Sequence, residues 1–303
     1  MTTPLIEVRD FTMRFGAQAV IDDLSFEVRP GETFGLLGSN GCGKTTTIRA
    51  LLGIYQPTAG TLRVEGRRFD PAQGSKLGYL PEERGLYRKE SVLEVMAYFG
   101  QLKGLIRTDA LTWSRAYLER VGLAGHARLR LDKLSGGQQQ KVQLGVTIMN
   151  APSILILDEP TKGFDPVNRR LLMDLIEEQQ AQGSTVVMVT HQMDEVERLC
   201  DRVLLLKDGR AEAYGTIAAV QDEFGGRRMR VTFSGTLPAS ANYRVAVSER
   251  NYAELEPADG VDPSTVVREL VAAGVQLRGF ETARVSLEEI FLKVYGEQAG
   301  AAE

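Results

Sequence analysis

Thiol and imidazole groups are scarce in this chain. Its 303 residues include two cysteines, Cys42 and Cys200, and two histidines, His126 and His191. The cysteines lie far apart, which excludes a disulfide framework and the paired spacing of a zinc site. Two histidines leave no histidine-rich metal centre. Positive charge is not in excess either: the formal net charge is −4, whereas nucleic-acid binders usually carry a basic patch. No nucleic-acid partner is expected. No apolar run approaches the ~18 residues of a spanning helix, so work at a membrane would need a partner that supplies the spans. Residues 1–7 show no basic segment followed by an apolar run, and no secretory leader is expected. Gln298–Glu303 are the one stretch expected to lack structure. What remains is ordinary globular composition, 43% hydrophobic and 25% charged, in a length that suits one large α/β domain and a small second one.

Periodicity divides the chain in that way. Leu5–Arg9 and Leu24–Val28 alternate apolar and polar residues, as half-buried strands do. Pro30-Gly31 marks a turn, and Thr33–Leu37 is an apolar run fit for a buried strand. A glycine-rich loop leads into a helix over Thr45–Leu52, and Gly60–Val64 resumes strand. Residues 92–149 read mainly as helices, notably Leu111–Val121 and Gln138–Met149. Parallel-sheet patterns return at Ser153–Leu157, Thr185–Val189 and Arg202–Leu206, with helices over Arg169–Gln180 and Met193–Leu199 between them. A boundary is expected near Phe224–Arg227. Beyond it come strands at Arg230–Phe233, Tyr243–Val247 and Gln276–Phe280. Asp262-Pro263 opens a helix ending at Gly274, and Ser286–Glu289 forms a capping box ahead of Leu287, Ile290, Phe291 and Val294. The expected architecture is an α/β cassette over residues 5–224, with a helical subdomain at about 86–150, followed by a small α+β domain over 227–303.

Three motifs carry chemistry. Gly38, Ser39, Asn40, Gly41, Cys42, Gly43, Lys44 and Thr45, with Thr46 behind them, fit the phosphate-loop pattern between a strand and a helix. Glycines let the backbone wrap a phosphate, and the helix N-terminus adds positive potential. Lys44 would reach the β- and γ-phosphates and Thr45 would ligate Mg²⁺. Ile154–Asp158 is an apolar strand ending in two carboxylates. Alone this is a solvated strand end; after a phosphate loop, Asp158 reads as a Mg²⁺ holder and Glu159 as the general base. Leu134–Gln138 is a serine-capped helix start whose Ser135, Gly136, Gly137 and Gln138 can present N–H groups to a terminal phosphate. Cys42, beside Lys44 at a helix start, is expected to be a reactive thiol; it also fits as a small loop-filling residue, and both readings can hold together. Cys200 is expected to be buried and inert.

Ser135-Gly-Gly137, with the phosphate loop before it and the carboxylate pair after it, resembles the signature of the ABC ATPase family. The resemblance covers roughly residues 5–224 and implies a P-loop NTPase fold. It also implies ATP and Mg²⁺ as ligands, and a second cassette, identical or different, whose signature completes each ATP site. In the family pattern His191 contacts the γ-phosphate and the attacking water. Asp165 lies in a loop that crosses to the opposite subunit, although Lys162 replaces the usual serine near that loop's start. Phe15 stacks on adenine, with core packing as its rival, and Val20 lines the base pocket. Glu82 stands where a glutamine usually touches Mg²⁺ and relays nucleotide state. The segment Leu80-Pro-Glu-Glu83 is similar to a branch of sodium- and drug-exporter ATPases. That branch implies separate membrane-spanning permease subunits and a cytoplasmic place on the inner face of the membrane. An importer ATPase is the alternative. A soluble repair ATPase is disfavoured by the lack of a long insertion between Lys44 and Ser135, and a translation ATPase by the single phosphate loop.

Overall fold

The computed structural model describes residues 3–70, 76–83, 85–225, 227–258 and 260–296. Residues 298–303 and Gly226 therefore lie outside it. The chain divides into two compact units, Met1–Tyr214 and Gly215–Glu303. This division precedes the boundary expected at Phe224–Arg227: the segment up to the expected boundary is mostly the helix Ile217–Gly225, which falls in the second unit.

The first unit opens with β1 (Ile6–Phe15), β2 (Gln18–Val28), β3 (Thr33–Leu37), α1 (Lys44–Leu51), β4 (Ala59–Val64) and β5 (Leu77–Leu80). The strands β2-β1-β4 form an antiparallel sheet. Both partners of the β1–β2 pair run longer than their alternation indicates. Register shifts after Val8, Phe11 and Met13 break the period of two, as bulges do. Three helices follow: α2 (Val92–Leu102), α3 (Arg107–Arg120) and α4 (Gly136–Ile148). Gly145 in α4 is required by packing, since a Cβ there would lie 2.3 Å from the buried Tyr117 ring.

Next come β6 (Ile154–Asp158), α5 (Pro166–Ala181), β7 (Thr185–Val189), α6 (Met193–Leu199), β8 (Arg202–Lys207) and β9 (Arg210–Thr216). They complete a six-stranded sheet in the order β5-β6-β7-β3-β8-β9. Every residue of β3, β6 and β7 is buried, which explains their continuous apolar runs. Asp208 and Gly209, both with positive φ, make the tight turn between β8 and β9. Ile48, Leu51 and Leu52 of the α1 region share one core with the antiparallel sheet and with Phe34, Leu36, Ile156 and Val187. Among the described residues no helix is long and apolar enough to cross a membrane.

The second unit contains α7 (Ile217–Gly225), β10 (Arg227–Ser234), β11 (Tyr243–Glu249), β12 (Tyr252–Pro257), α8 (Pro263–Ala272), β13 (Gln276–Arg284) and α9 (Leu287–Tyr295). Its sheet, β11-β12-β10-β13, is antiparallel. Met229, Val231, Phe233, Ala253 and Leu255 pack against Val266 and Leu270 of α8. Asp262 caps α8 and Pro263 is its first residue, as the sequence indicates. At α9 the Ser286 hydroxyl accepts from Glu289 N at 3.2 Å, while the Glu289 carboxylate is bound to Arg228 at 2.6 Å.

Candidate nucleotide site

Parallel register brings the chemical motifs to one edge. Leu80 of β5 lies beside Leu157 of β6, Asp158 beside Val189 of β7, and Val189 beside Leu36 of β3. The segments leaving these strands carry Glu82, Glu159, His191 and the 38–45 loop. They emerge at the carboxyl ends of the strands, where open α/β sheets bind ligands.

The 38–45 loop is tightly constrained. A Cβ on Gly38 would lie 2.4 Å from Cys42 Sγ and 2.5 Å from Leu206 O, and one on Gly43 2.3 Å from Ile21 Cδ1. Gly43 caps α1 with φ 110° and no side-chain bond, so the first N–H groups of α1 have no cap competing for them. Lys44 Nζ donates to Gly38 O at 2.7 Å and Ser39 O at 2.9 Å. An ammonium held over a ring of glycine and serine backbone is suited to polyphosphate. Thr45 and Thr46 are half-buried at the helix start.

Asp158 is 2% exposed. Burial, then the charges of Glu82 and Glu159, push its carboxyl pKa up to about 6. Glu159 takes a left-handed backbone, φ 50°, a conformation that costs energy for a non-glycine residue and recurs at functional positions. His191 Nδ1 lies 2.8 Å from Glu159 Oε1, and its Nε2 lies 3.0 Å from Gln192 Nε2. A neutral ring satisfies both contacts when Nδ1–H donates to the carboxylate and Nε2 accepts from the amide. In this arrangement Gln192 must give way before Nε2 can meet a phosphate.

The other expected residues have defined surroundings. Phe15 is 46% exposed and meets Tyr55 edge-on at 5.4 Å, which rules out the core-packing alternative. Val20 is half-buried, and its carbonyl lies close against Gly43 and Gly209. Ser135 caps α4 in a reciprocal box: its hydroxyl accepts from Gln138 N at 3.3 Å and its N–H donates to Gln138 Oε1 at 2.9 Å. Gly136 and Gly137 are the first residues of α4. Among the described residues no hydrogen bond or ion pair joins this segment to the phosphate loop. Asp165 caps α5, accepting from Val167 N and Asn168 N, both at 3.0 Å, and these bonds hold its carboxyl below the usual range.

Residues 21–162 match the ABC transporter family, and residues 215–295 match the C-terminal domain of DrrA1-3-like ATP-binding proteins. An uncharacterized ABC transporter ATP-binding protein of Methanocaldococcus jannaschii is 46% identical over 71% of this chain and 78% of its own length. The chain belongs to the ABC transporter ATP-binding proteins. Other relatives include a Nod factor export ATP-binding protein of Paraburkholderia xenovorans, 39% identical over 73% of each chain. A linearmycin resistance ATP-binding protein of Bacillus subtilis is 29% identical over 96% of this chain and 98% of its own. The solved ATP-binding subunit of an ABC transporter superposes with a TM-score of 0.68 at 31% identity, covering 73% of this chain and 94% of the other.

For an ABC cassette the donor set fits Mg²⁺. Among the described residues no cluster of three or more His, Cys, Asp or Glu side chains forms a cage. Magnesium in nucleotide sites takes one or two carboxylates and otherwise phosphate and water. Beyond burial, the charges of Glu82 and Glu159 push the Asp158 pKa up more than Lys44 and Arg49 pull it down, so a cation held among these carboxylates would relieve their repulsion.

The structure corrects one expectation. Cys42 departs from the exposed, acidified thiol expected: it is 5% exposed, lies against Gly38, and burial pushes its pKa up more than Lys44 pulls it down. The small-residue reading holds. Cys200 is buried, as expected, with its thiol pKa raised by burial.

Sequence reasoning missed two partnerships. Gln192 holds the imidazole of His191. Lys162 pairs with Glu82 at 2.6 Å, beside a cavity of about 510 Å³ also lined by Arg88, Gln139 and Gln140. The clue to the second was available: the two departures from the family pattern carry opposite charges.

Proposed function

We propose that this chain is the ATP-hydrolysing subunit of an ABC exporter, pairing with a second cassette around two ATP molecules to drive separate membrane-spanning subunits. The 2.8 Å contact between His191 and Glu159, at the sheet edge that carries Lys44 and Asp158, is the observation behind it. Residues 38–46 would cradle the phosphates, with Lys44 on the β- and γ-groups, and Phe15 and Val20 would receive the base. Thr45, Asp158 and Glu82 would hold Mg²⁺, which when bound neutralises phosphate charge. Glu159 would take the proton of the water that attacks the γ-phosphorus while the bond to the β,γ-bridging oxygen breaks. His191 fixes that carboxylate, and exchange of Gln192 for phosphate would let it contact the γ-group. Ser135–Gln138 open α4 and, among the described residues, make no hydrogen bond or ion pair with the phosphate loop of their own chain; they would act on ATP held by the second cassette, with Asp165 at the crossing loop. The export direction is supported by the Nod factor export and linearmycin resistance relatives and by the DrrA1-3-like match. On this reading the cassette sits on the inner face of the membrane through its permease.

Glu159→Gln is the decisive variant. It is expected to bind ATP, to lose at least about 100-fold in turnover, as loss of a general base does, and to elute as a dimer only with ATP. Wild-type turnover by folded Glu159→Gln would overturn the catalytic assignment. A monomer with ATP demonstrably bound would overturn the two-cassette arrangement.

A further inference from the structure

Beneath the nucleotide edge, a single carboxylate joins the loops that leave β6 and β7. Glu195 of α6 is fully buried. Its Oε1 accepts from the hydroxyl of Thr161, and its Oε2 from the hydroxyl of Thr190 at 3.3 Å. Thr161 stands two residues after Glu159, and Thr190 stands directly before His191. Both threonines are buried, at 3% and 0% exposure. Thr190 has one proton and uses it on Glu195; its lone pair accepts from Gln192 N at 3.1 Å. Arg169 of α5 brings Nε to 3.6 Å from Glu195 Oε1, and that buried nitrogen has no hydrogen-bond acceptor.

An ionisable side chain in this position is costly unless it is bonded and paired. Burial pushes the Glu195 carboxyl upward, against the bond from Thr161 and the charge of Arg169. An apolar side chain would fill the same space without that cost. What the carboxylate adds is a simultaneous hold on two loops. One of these loops contains Glu159 in its left-handed conformation, which persists only where its surroundings fix it.

We propose that Glu195 is a positioning residue, clamping Thr161 and Thr190 so that the Glu159–His191 pair keeps its geometry for attack on the terminal phosphate. This rests on the reading of Glu159 and His191 given under Proposed function. Rate is sensitive to such placement, because an error of about 1 Å in the reacting geometry can cost on the order of 100-fold.

The test uses the full chain carrying Thr161→Val, Thr161→Ser, Glu195→Gln or His191→Ala. Turnover, affinity for a fluorescent ATP analogue and melting temperature are measured for each. Thr161→Val and Glu195→Gln are expected to lower kcat by about tenfold or more, with ATP affinity within about twofold of wild type. Thr161→Ser, which restores the hydroxyl, is expected to restore kcat. Adding Thr161→Val to His191→Ala should cause no further loss, because residues acting as a unit are not additive. Wild-type kcat in folded Thr161→Val, with His191→Ala inactive, would overturn the clamp alone. ATP affinity and melting temperature falling together with kcat, unrescued by serine, would reduce Glu195 to a structural residue and overturn the proposal. Wild-type turnover by His191→Ala would overturn the reading of the site and the clamp with it. Should Glu195→Gln fail to fold, the two Thr161 variants decide the matter.

Discussion

Three side chains of the candidate nucleotide site depend on surroundings that sequence alone does not reveal. The helix start and Lys44 favour a thiolate at Cys42, but contact with Gly38 leaves the sulfur 5% exposed and burial decides the sign. A maleimide should therefore leave ATP turnover intact, and mass mapping should find Cys42 labelled far more slowly than an exposed thiol. Rapid labelling at Cys42 would contradict this. The opposite charges of Glu82 and Lys162 only hint at their pairing, because a loop after β5 and a loop after β6 meet only in three dimensions. Both side chains are exposed, at 42% and 59%, so solvent screens the pair and it adds little to stability. Its effect lies in charge: Lys162 stands among the carboxylates of Glu82, Glu159 and Asp158. Lys162→Ser should weaken ATP binding about threefold, the scale of such a pair, and Glu82→Gln in the same chain should restore it. Losses that simply add in the four-variant comparison would show that the two residues do not act together.

Elements were legible where burial was uniform and obscure where it was interrupted. β6, β7 and the strand β3 read directly from apolar runs. β5, by contrast, is four residues long and includes Gly78, whose hydrogen is needed because a Cβ would lie 2.5 Å from Thr147 O. In β12, Ala253 and Leu255 join the core while Glu254, buried between them, lies among Arg228 and Arg230, so its glutamates mask the strand. In α5 the cap Asp165 was noticed for another role. α4 ends on a cation supplied by α2: Lys103, the cap residue of α2, donates through Nζ to Thr147 O at 2.5 Å and Met149 O at 3.4 Å. Burial lowers the Lys103 pKa from 10.5 to about 8. Below pH 8 both folded and unfolded chains carry the charge, and the folded state bears its full burial cost. Between pH 8 and 10.5 the folded chain sheds a proton that the unfolded chain keeps, so the wild-type side chain becomes less costly as pH rises. Stability relative to Lys103→Met should thus shift toward the wild type between pH 7 and 10 in urea titrations. A difference that stays constant with pH would mean that the helix carbonyls hold the ammonium charged throughout.

At the scale of the whole molecule, the cassette was legible because its chemistry is written in contiguous motifs, while the second unit has no such motif and was visible only as a change of pattern. That change was placed at Phe224–Arg227, where glycines interrupt the sequence, but the structural division falls at Tyr214/Gly215. The two units also have separate cores. One gathers Phe34, Ile48 and Ile156 around α1, and the other gathers Val231, Leu255 and Leu270 around α8; among the described residues none belongs to both clusters. Damage confined to the second core should therefore stay there. Leu255 is completely buried, and Leu255→Ala leaves a cavity that costs about 2–5 kcal/mol. Its neighbour Glu254 holds Arg228 and Arg230 on the opposite sheet face, and those pairs are untouched by the substitution. Hydrogen exchange should accelerate across β10, β12 and β13 in Leu255→Ala and remain unchanged across β6 and β7. ATP affinity, which the proposed site assigns to the loop that follows β3, should be unaltered. If affinity fell in step with the loss of protection in the second unit, the two cores would be energetically coupled, and the small unit would have to be counted as part of the nucleotide site's own support.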